Sequence, residues 1–133
     1  MSLPVEQDLR AFLKGKADAL SDKPYLFFGD ETVSYRELDG RSNRVANGVM
    51  ALGVRPGERV GVMLPNVPDF LYTWFGLAKV GAVMVPLNTA FTGREARYPL
   101  LHSEATALVL DEAHLDVFSG EGLSHLPRSP FRR

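Results

Sequence analysis

The chain has 133 residues, 45% hydrophobic and 23% charged, with a formal net charge of −1 and no cysteine. That length fits one domain, and the balanced charge gives no general attraction for nucleic acid or an anionic membrane surface. Without cysteine there is neither a disulfide framework nor thiolate chemistry, which fits a reducing compartment.

The N-terminal stretch "MSLPVEQDLRAFLKGKADAL" is too charged for a signal-peptide core. No run approaches the roughly 18 consecutive apolar residues that span a bilayer. The expectation is a cytoplasmic protein with no transmembrane segment. Residues 6–20 predict an amphipathic helix, with Leu9, Phe12, Leu13 and Leu20 near helical spacing and Lys23-Pro24 beyond its end. "YLFFGDETVSY" (25–35) predicts a β-hairpin, with Gly29-Asp30 turning between Tyr25–Phe28 and Thr32–Val33.

Ser34 and Glu37 form a capping box in "SYRE" and start a second helix. Leu38, Val45, Val49 and Leu52 share one face of it, and Gly53 closes it. Pro56-Gly57 is a turn before a strand over 59–64, which Pro65 stops. Asn66 is the expected cap of a third helix, with Pro68 in its first turn. Val67, Phe70, Leu71, Trp74, Phe75 and Ala78 are its expected core stripe, and Lys79 is expected to be solvated.

Gly81 lets the chain reverse into a strand at "AVMVPL", which Pro86 ends. Thr92 and Glu95 repeat the capping box for a fourth helix. Pro99 lies inside it and predicts a kink or an end near 98, because an interior proline costs about 3 kcal/mol. "ATALVLD" (105–111) is the last strand, and a short helix over 113–118 follows.

The three later strands centre near 62, 84 and 109, each pair bridged by a helix, and they are apolar runs rather than alternating ones. That pattern predicts an α/β fold: a parallel βαβαβ layer covered by helices on both faces, preceded by a helix and a hairpin. Asn88 falls at the carboxyl edge, where open α/β sheets place ligands. Residues 1–118 form the expected folded unit, and 119–133, rich in Pro, Gly and Arg, an expected disordered tail.

Chemistry is scarce. There is no G-x-x-x-x-G-K-[ST] loop, no G-x-G-x-x-G and no G-x-S-x-G elbow. His102, His114 and His125 lack metal-ligand spacing. His102 is read as a surface or dipole partner. Asp111-Glu112 is read as a cap for the next helix ahead of a ribose or metal contact. No catalytic, cofactor-binding or metal residue is assigned.

The assembled motifs resemble the N-terminal region of the AMP-forming acyl-CoA synthetases, members of the adenylate-forming superfamily. "SYREL" (34–38), "GVRPGERVGVMLPN" (53–66), "GLAKVGAVMVPLN" (76–88) and "TGREARYPLLHSEATALVLDE" (92–112) match in order over residues 7–118. "WFGLAKVGAVMVPLN" is especially similar to medium- or long-chain and carnitine-type CoA ligases. The resemblance implies an acid–thiol ligase: ATP and a carboxylate give an acyl-adenylate, and coenzyme A then displaces AMP. It also implies ATP, Mg²⁺ and coenzyme A as partners of a full-length enzyme. The Ser/Thr/Gly-rich phosphate loop and the lysine of the C-terminal lid do not occur in these 133 residues, so no cofactor is expected for this chain itself. Some relatives carry a basic residue after the "PLN" strand; Arg94 is the nearest cation here, and it reads more simply as a solvated helix start. The chain reads as an N-terminal piece without turnover, or alternatively as an assembly module. Apolar surface left open would favour a homo-oligomer.

Overall fold

A computed structural model describes residues 8–119. Helix α1 spans Leu9–Leu20, and Asp8 sets its start by accepting a hydrogen bond from the Ala11 amide at 2.7 Å. The expected first turn at residues 6–7 lies outside the described residues, as does the tail beyond Ser119. Only Leu13 and Ala17 of α1 are buried; Leu9 and Phe12 stay exposed.

Strands β1 (Pro24–Phe28) and β2 (Glu31–Ser34) pair antiparallel as the expected hairpin. Ser34 then caps α2 (Tyr35–Ala51): its hydroxyl accepts from the Glu37 amide at 3.1 Å, and the Glu37 carboxylate accepts from the Ser34 amide at 3.3 Å. Both local signals act as they read in sequence. The face α2 buries is different from the expected one. Leu38, Ser42, Ala46 and Val49 are covered, while Val45 and Leu52 are half-buried. Ser42 tolerates burial because its hydroxyl donates to the Leu38 carbonyl at 2.6 Å.

Helix α3 runs Pro68–Val80. The expected cap at Asn66 is not made: Val67 occupies the N-cap without a side-chain bond. Pro68 at the first helical position supplies a preset φ and has no amide to satisfy, so the helix starts without a side-chain acceptor. Trp74, expected in the core, is 39% exposed. The buried face of α3 includes Tyr72, Thr73, Phe75, Gly76, Leu77 and Val80, two of them of low hydrophobicity, and leaves Trp74 off it. A Cβ on Gly76 would stand 2.7 Å from the Val45 Cβ and 2.9 Å from the Ser42 carbonyl oxygen. The two helices therefore approach through a position where only hydrogen fits.

Lys79, expected in solvent, is instead paired. Its side chain is 10% exposed, and its ammonium lies 2.6 Å from the carboxylate of Asp39 on α2, itself 21% exposed. A lysine stem buried in the helix pair needs such a partner for its charge.

Strands β3 (Arg59–Met63), β4 (Val83–Pro86) and β5 (Ala107–Leu110) form the predicted parallel sheet in the order β4-β3-β5. Gly81 ends α3 at φ 80°, as expected for a left-handed reversal. Helix α4 (Gly93–His102) starts at the Thr92–Glu95 capping box and runs through Pro99 to His102, so no early end occurs near 98. Leu100, fully buried, anchors the turn after the proline, and the carbonyl the proline frees belongs to the exposed Glu95. A 3₁₀ helix, Glu112–Phe118, stands where a short helix was expected.

β3 is the centre. Val60 and Val62 join Ala46, Val49, Leu77 and Val80 on one face. Met63 joins Ala96 and Leu100 on the other. Helices α2 and α3 thus cover one face and α4 the opposite one. Two crossovers of the same hand that run in opposite directions along a sheet produce that placement. A third cluster of Leu13, Val33, Leu38, Tyr72 and Phe75 fixes α1 and the hairpin on the far side of the α2–α3 pair.

Within that third cluster, Arg41 donates to the Tyr72 hydroxyl at 2.8 Å and to Glu31 at 3.2 Å. Burial pushes the Tyr72 hydroxyl above its usual 10.0, and the Arg41 bond pulls it part of the way back. Arg41 in turn is held above its ordinary value, chiefly by that hydrogen bond.

Replacing Gly76 by Ala should destabilise the chain by about 1–3 kcal/mol through overpacking. Gly40→Ala, with nothing within 4 Å of the added carbon, should be neutral or stabilising by up to about 1 kcal/mol; urea melts of the pair decide whether the contact or the helix propensity dominates. Because the folded Tyr72 ionises above its unfolded value of 10.0, its contribution is complete below that pH and fades as pH climbs through the folded value. Tyr72→Phe should cost about 1 kcal/mol at neutral pH and make the remaining stability less steep in the alkaline range, read from melts at several pH values.

Candidate functional site

In an open α/β sheet the place to look is the carboxyl end of the strands, above all where the crossovers change direction. Here that is the gap between β3 and β5, since β4 lies on one side of β3 and β5 on the other. Chain leaves these ends at Leu64–Asn66, Leu87–Thr89 and Asp111–Glu112.

Two polar side chains at this edge are occupied locally. Asn88 accepts from the Ala90 amide at 2.9 Å, closing a turn on itself. Asp111 takes the N-cap position of the 3₁₀ helix, but its carboxylate meets the His114 Nδ1 instead of a backbone amide. The expected capping role is thus replaced by a side-chain pair three residues long, which sequence spacing alone does not distinguish from a cap. Glu112 is exposed.

The remaining candidates are scattered. Arg94 is exposed in the first turn of α4, and it forms no hydrogen bond or ion pair among the described residues. His102 ends the same helix and stacks on Tyr98, ring centroids 5.4 Å apart. Among the described residues, no three of His, Asp, Glu or Cys stand together as a metal site.

One apolar groove was not foreseen. Its volume is about 200 Å³, and it opens between the hairpin and the start of α3, lined by Leu26, Phe28, Val67, Phe70 and Leu71 with Asn66 the polar member. Val67, Phe70 and Leu71 read in sequence as core positions; beside the hairpin they are half-buried instead. Such a groove can take an apolar side chain but offers no group for catalysis.

A parallel layer with helices on both faces defines an α/β domain. The chain belongs to the AMP-binding enzyme family, whose model matches residues 13–128. It is 40% identical over 108 residues to the crotonobetaine/carnitine–CoA ligase of Salmonella paratyphi A, an alignment taking in 77% of this chain and 21% of that protein. The same ligase of Salmonella typhimurium matches equally. The chain thus spans about a fifth of the length of the curated relatives it matches.

Solved structures agree. The N-terminal domain of FACL13 from Mycobacterium tuberculosis superposes with a TM-score of 0.82 at 25% identity, over 92% of this chain and 32% of that one. The anthranilate CoA ligase AuaEII, solved with anthranoyl-AMP, gives 0.80 at 28% identity, over 88% and 23%. The family match runs past residue 118, into the stretch that composition set apart as a tail. No helix of the described residues is long and apolar enough to cross a membrane.

Proposed function

We propose that this segment is the N-terminal scaffold of an ATP-dependent, AMP-forming acyl-CoA ligase that takes a fatty or carnitine-type acid to its acyl-adenylate and then to the coenzyme A thioester. The observation that carries the reading is the family match over residues 13–128 together with 40% identity to a CoA ligase. ATP, Mg²⁺ and coenzyme A belong to the complete enzyme in this proposal. The 133 residues contain neither the phosphate loop nor the lid lysine, so alone they lack the groups that neutralise developing charge. A cytoplasmic setting is part of the same proposal, supported by the cysteine-free sequence.

The test uses pyrophosphate release with ATP, Mg²⁺ and a panel of fatty acids, carnitine and crotonobetaine. The chain alone should stay at background. A chimera of the Salmonella ligase carrying residues 13–119 of this chain in place of its own segment should turn over within about tenfold of the parent, a loss of no more than about 1.4 kcal/mol. Turnover by the chain alone, or a folded chimera that forms no adenylate, overturns the proposal.

A second reading, self-association, is supported by the hairpin. Phe27 is 72% exposed, and Phe28 and Trp74 are exposed as well. Apolar surface of that kind favours a homo-oligomer. Sedimentation over a concentration series should show dimer, and Phe27→Glu should return it to monomer; a monomer at every concentration counts against this reading.

A further inference from the structure

Helix α1 is tied to the rest of the chain chiefly at its end. Among the described residues, the bond of Asp8 and the Lys14–Asp18 pair stay within the helix, and no side chain of Leu9–Leu20 hydrogen-bonds beyond it. Only Leu13 and Ala17 are buried, and Leu13 is its member of the cluster with Leu38, Tyr72 and Phe75. Few buried contacts and no outward polar bonds place α1 at the low-stability end of the fold.

The joint that follows is strained. Ser21 caps α1 at φ 36° and ψ −97°, whereas Gly81 ends α3 at φ 80° and ψ 16°, in the ordinary left-handed well. Positive φ with so negative a ψ suits glycine, which has no Cβ to clash. A serine persists there only where its surroundings over-determine it.

Arg36 supplies that constraint three times. Its amide donates to the Ser21 carbonyl at 3.0 Å, its guanidinium donates to the Ser21 Oγ at 3.1 Å, and the same group pairs with Asp22 at 3.3 Å. The demand comes from the start of α2, whose first amides have no partner inside the helix. Ser34 takes the Glu37 amide, the Lys23 carbonyl takes that of Tyr35 at 3.1 Å, and the Ser21 carbonyl takes that of Arg36. The Ser21 backbone is turned to deliver its carbonyl there, and the cost falls on its own φ and ψ.

We propose that Ser21 is a loaded hinge on which α1 leaves the α2–α3 pair as one unit while the sheet stays folded. Arg36 is the latch. Strain held in the closed joint favours opening, and release relaxes Ser21 while uncovering the parts of Tyr72 and Phe75 that Leu13 covers. The hinge does not depend on the ligase reading.

Native-state amide exchange of the full chain tests it. Ser21→Gly and Ser21→Ala both lose the hydroxyl, but only alanine keeps the Cβ that strains the joint. The Leu13 and Ala17 amides should exchange about threefold or more slowly in the glycine variant than in the alanine variant. An unstrained joint gives the reverse order, because glycine gains more backbone freedom on opening. Arg36→Met keeps the amide and the stem and should speed both amides about fivefold, with Val62 on β3 held within about twofold. Melting curves confirm that the variants fold; should Arg36→Met not fold, the glycine and alanine pair decides. Exchange in the glycine variant as fast as in the alanine variant or faster, or Val62 moving in step with Leu13, overturns the proposal.

Discussion

The distance between α2 and α3 at Gly76 governs the rest of the molecule. These helices form the middle layer, with the parallel sheet on one side and the hairpin and α1 on the other. Any side chain at Gly76 would press on the Val45 side chain and the Ser42 carbonyl, so the α3 backbone sits directly against α2. Close approach brings Asp39 and Lys79 within 2.6 Å across the seam. It also sets the position of Tyr72, whose hydroxyl reaches Arg41 two residues further along α2. Separating the helices would disturb the ion pair and the hairpin anchor together, because they share one interface.

What could be read from sequence follows the range of the interaction that fixes it. Ser34–Glu37 and Thr92–Glu95 are legible because a cap is decided within four residues. Gly81 is legible because a left-handed reversal is a local demand. The parallel sheet is legible because helix-bridged apolar runs admit few arrangements. Trp74, Lys79 and Ser42 are not. Each is decided by which face α3 turns to α2, and that rotation is set by small residues that carry no hydrophobic signal. The helix continues past Pro99 for a related reason: a local penalty of about 3 kcal/mol is within reach of one buried leucine and its neighbours on the next turn.

The site was legible mainly through motifs shared with a family. Composition and spacing located the carboxyl edge, but they could not show that Asn88 would close its own turn or that Asp111 would take His114. Both outcomes depend on loop geometry that no periodicity encodes. The apolar groove beside α3 escaped notice because the same residues, read as a stripe, are indistinguishable from core.

The division between scaffold and chemistry has a physical basis. Polar groups along the carboxyl edge are spent on their own loops, while Glu58, near the amino end of β3, accepts from the Arg55 amide and the Thr106 hydroxyl and ties that end to β5. Bonds at both ends of the strands hold the frame without reference to a ligand. A layer satisfied in this way can be folded first and can position neighbouring segments, because its stability does not wait on a cofactor's charge. Among the described residues, Leu108, Val109 and Leu110 of β5 stay half-buried while Val60 and Val62 of the central strand are fully covered.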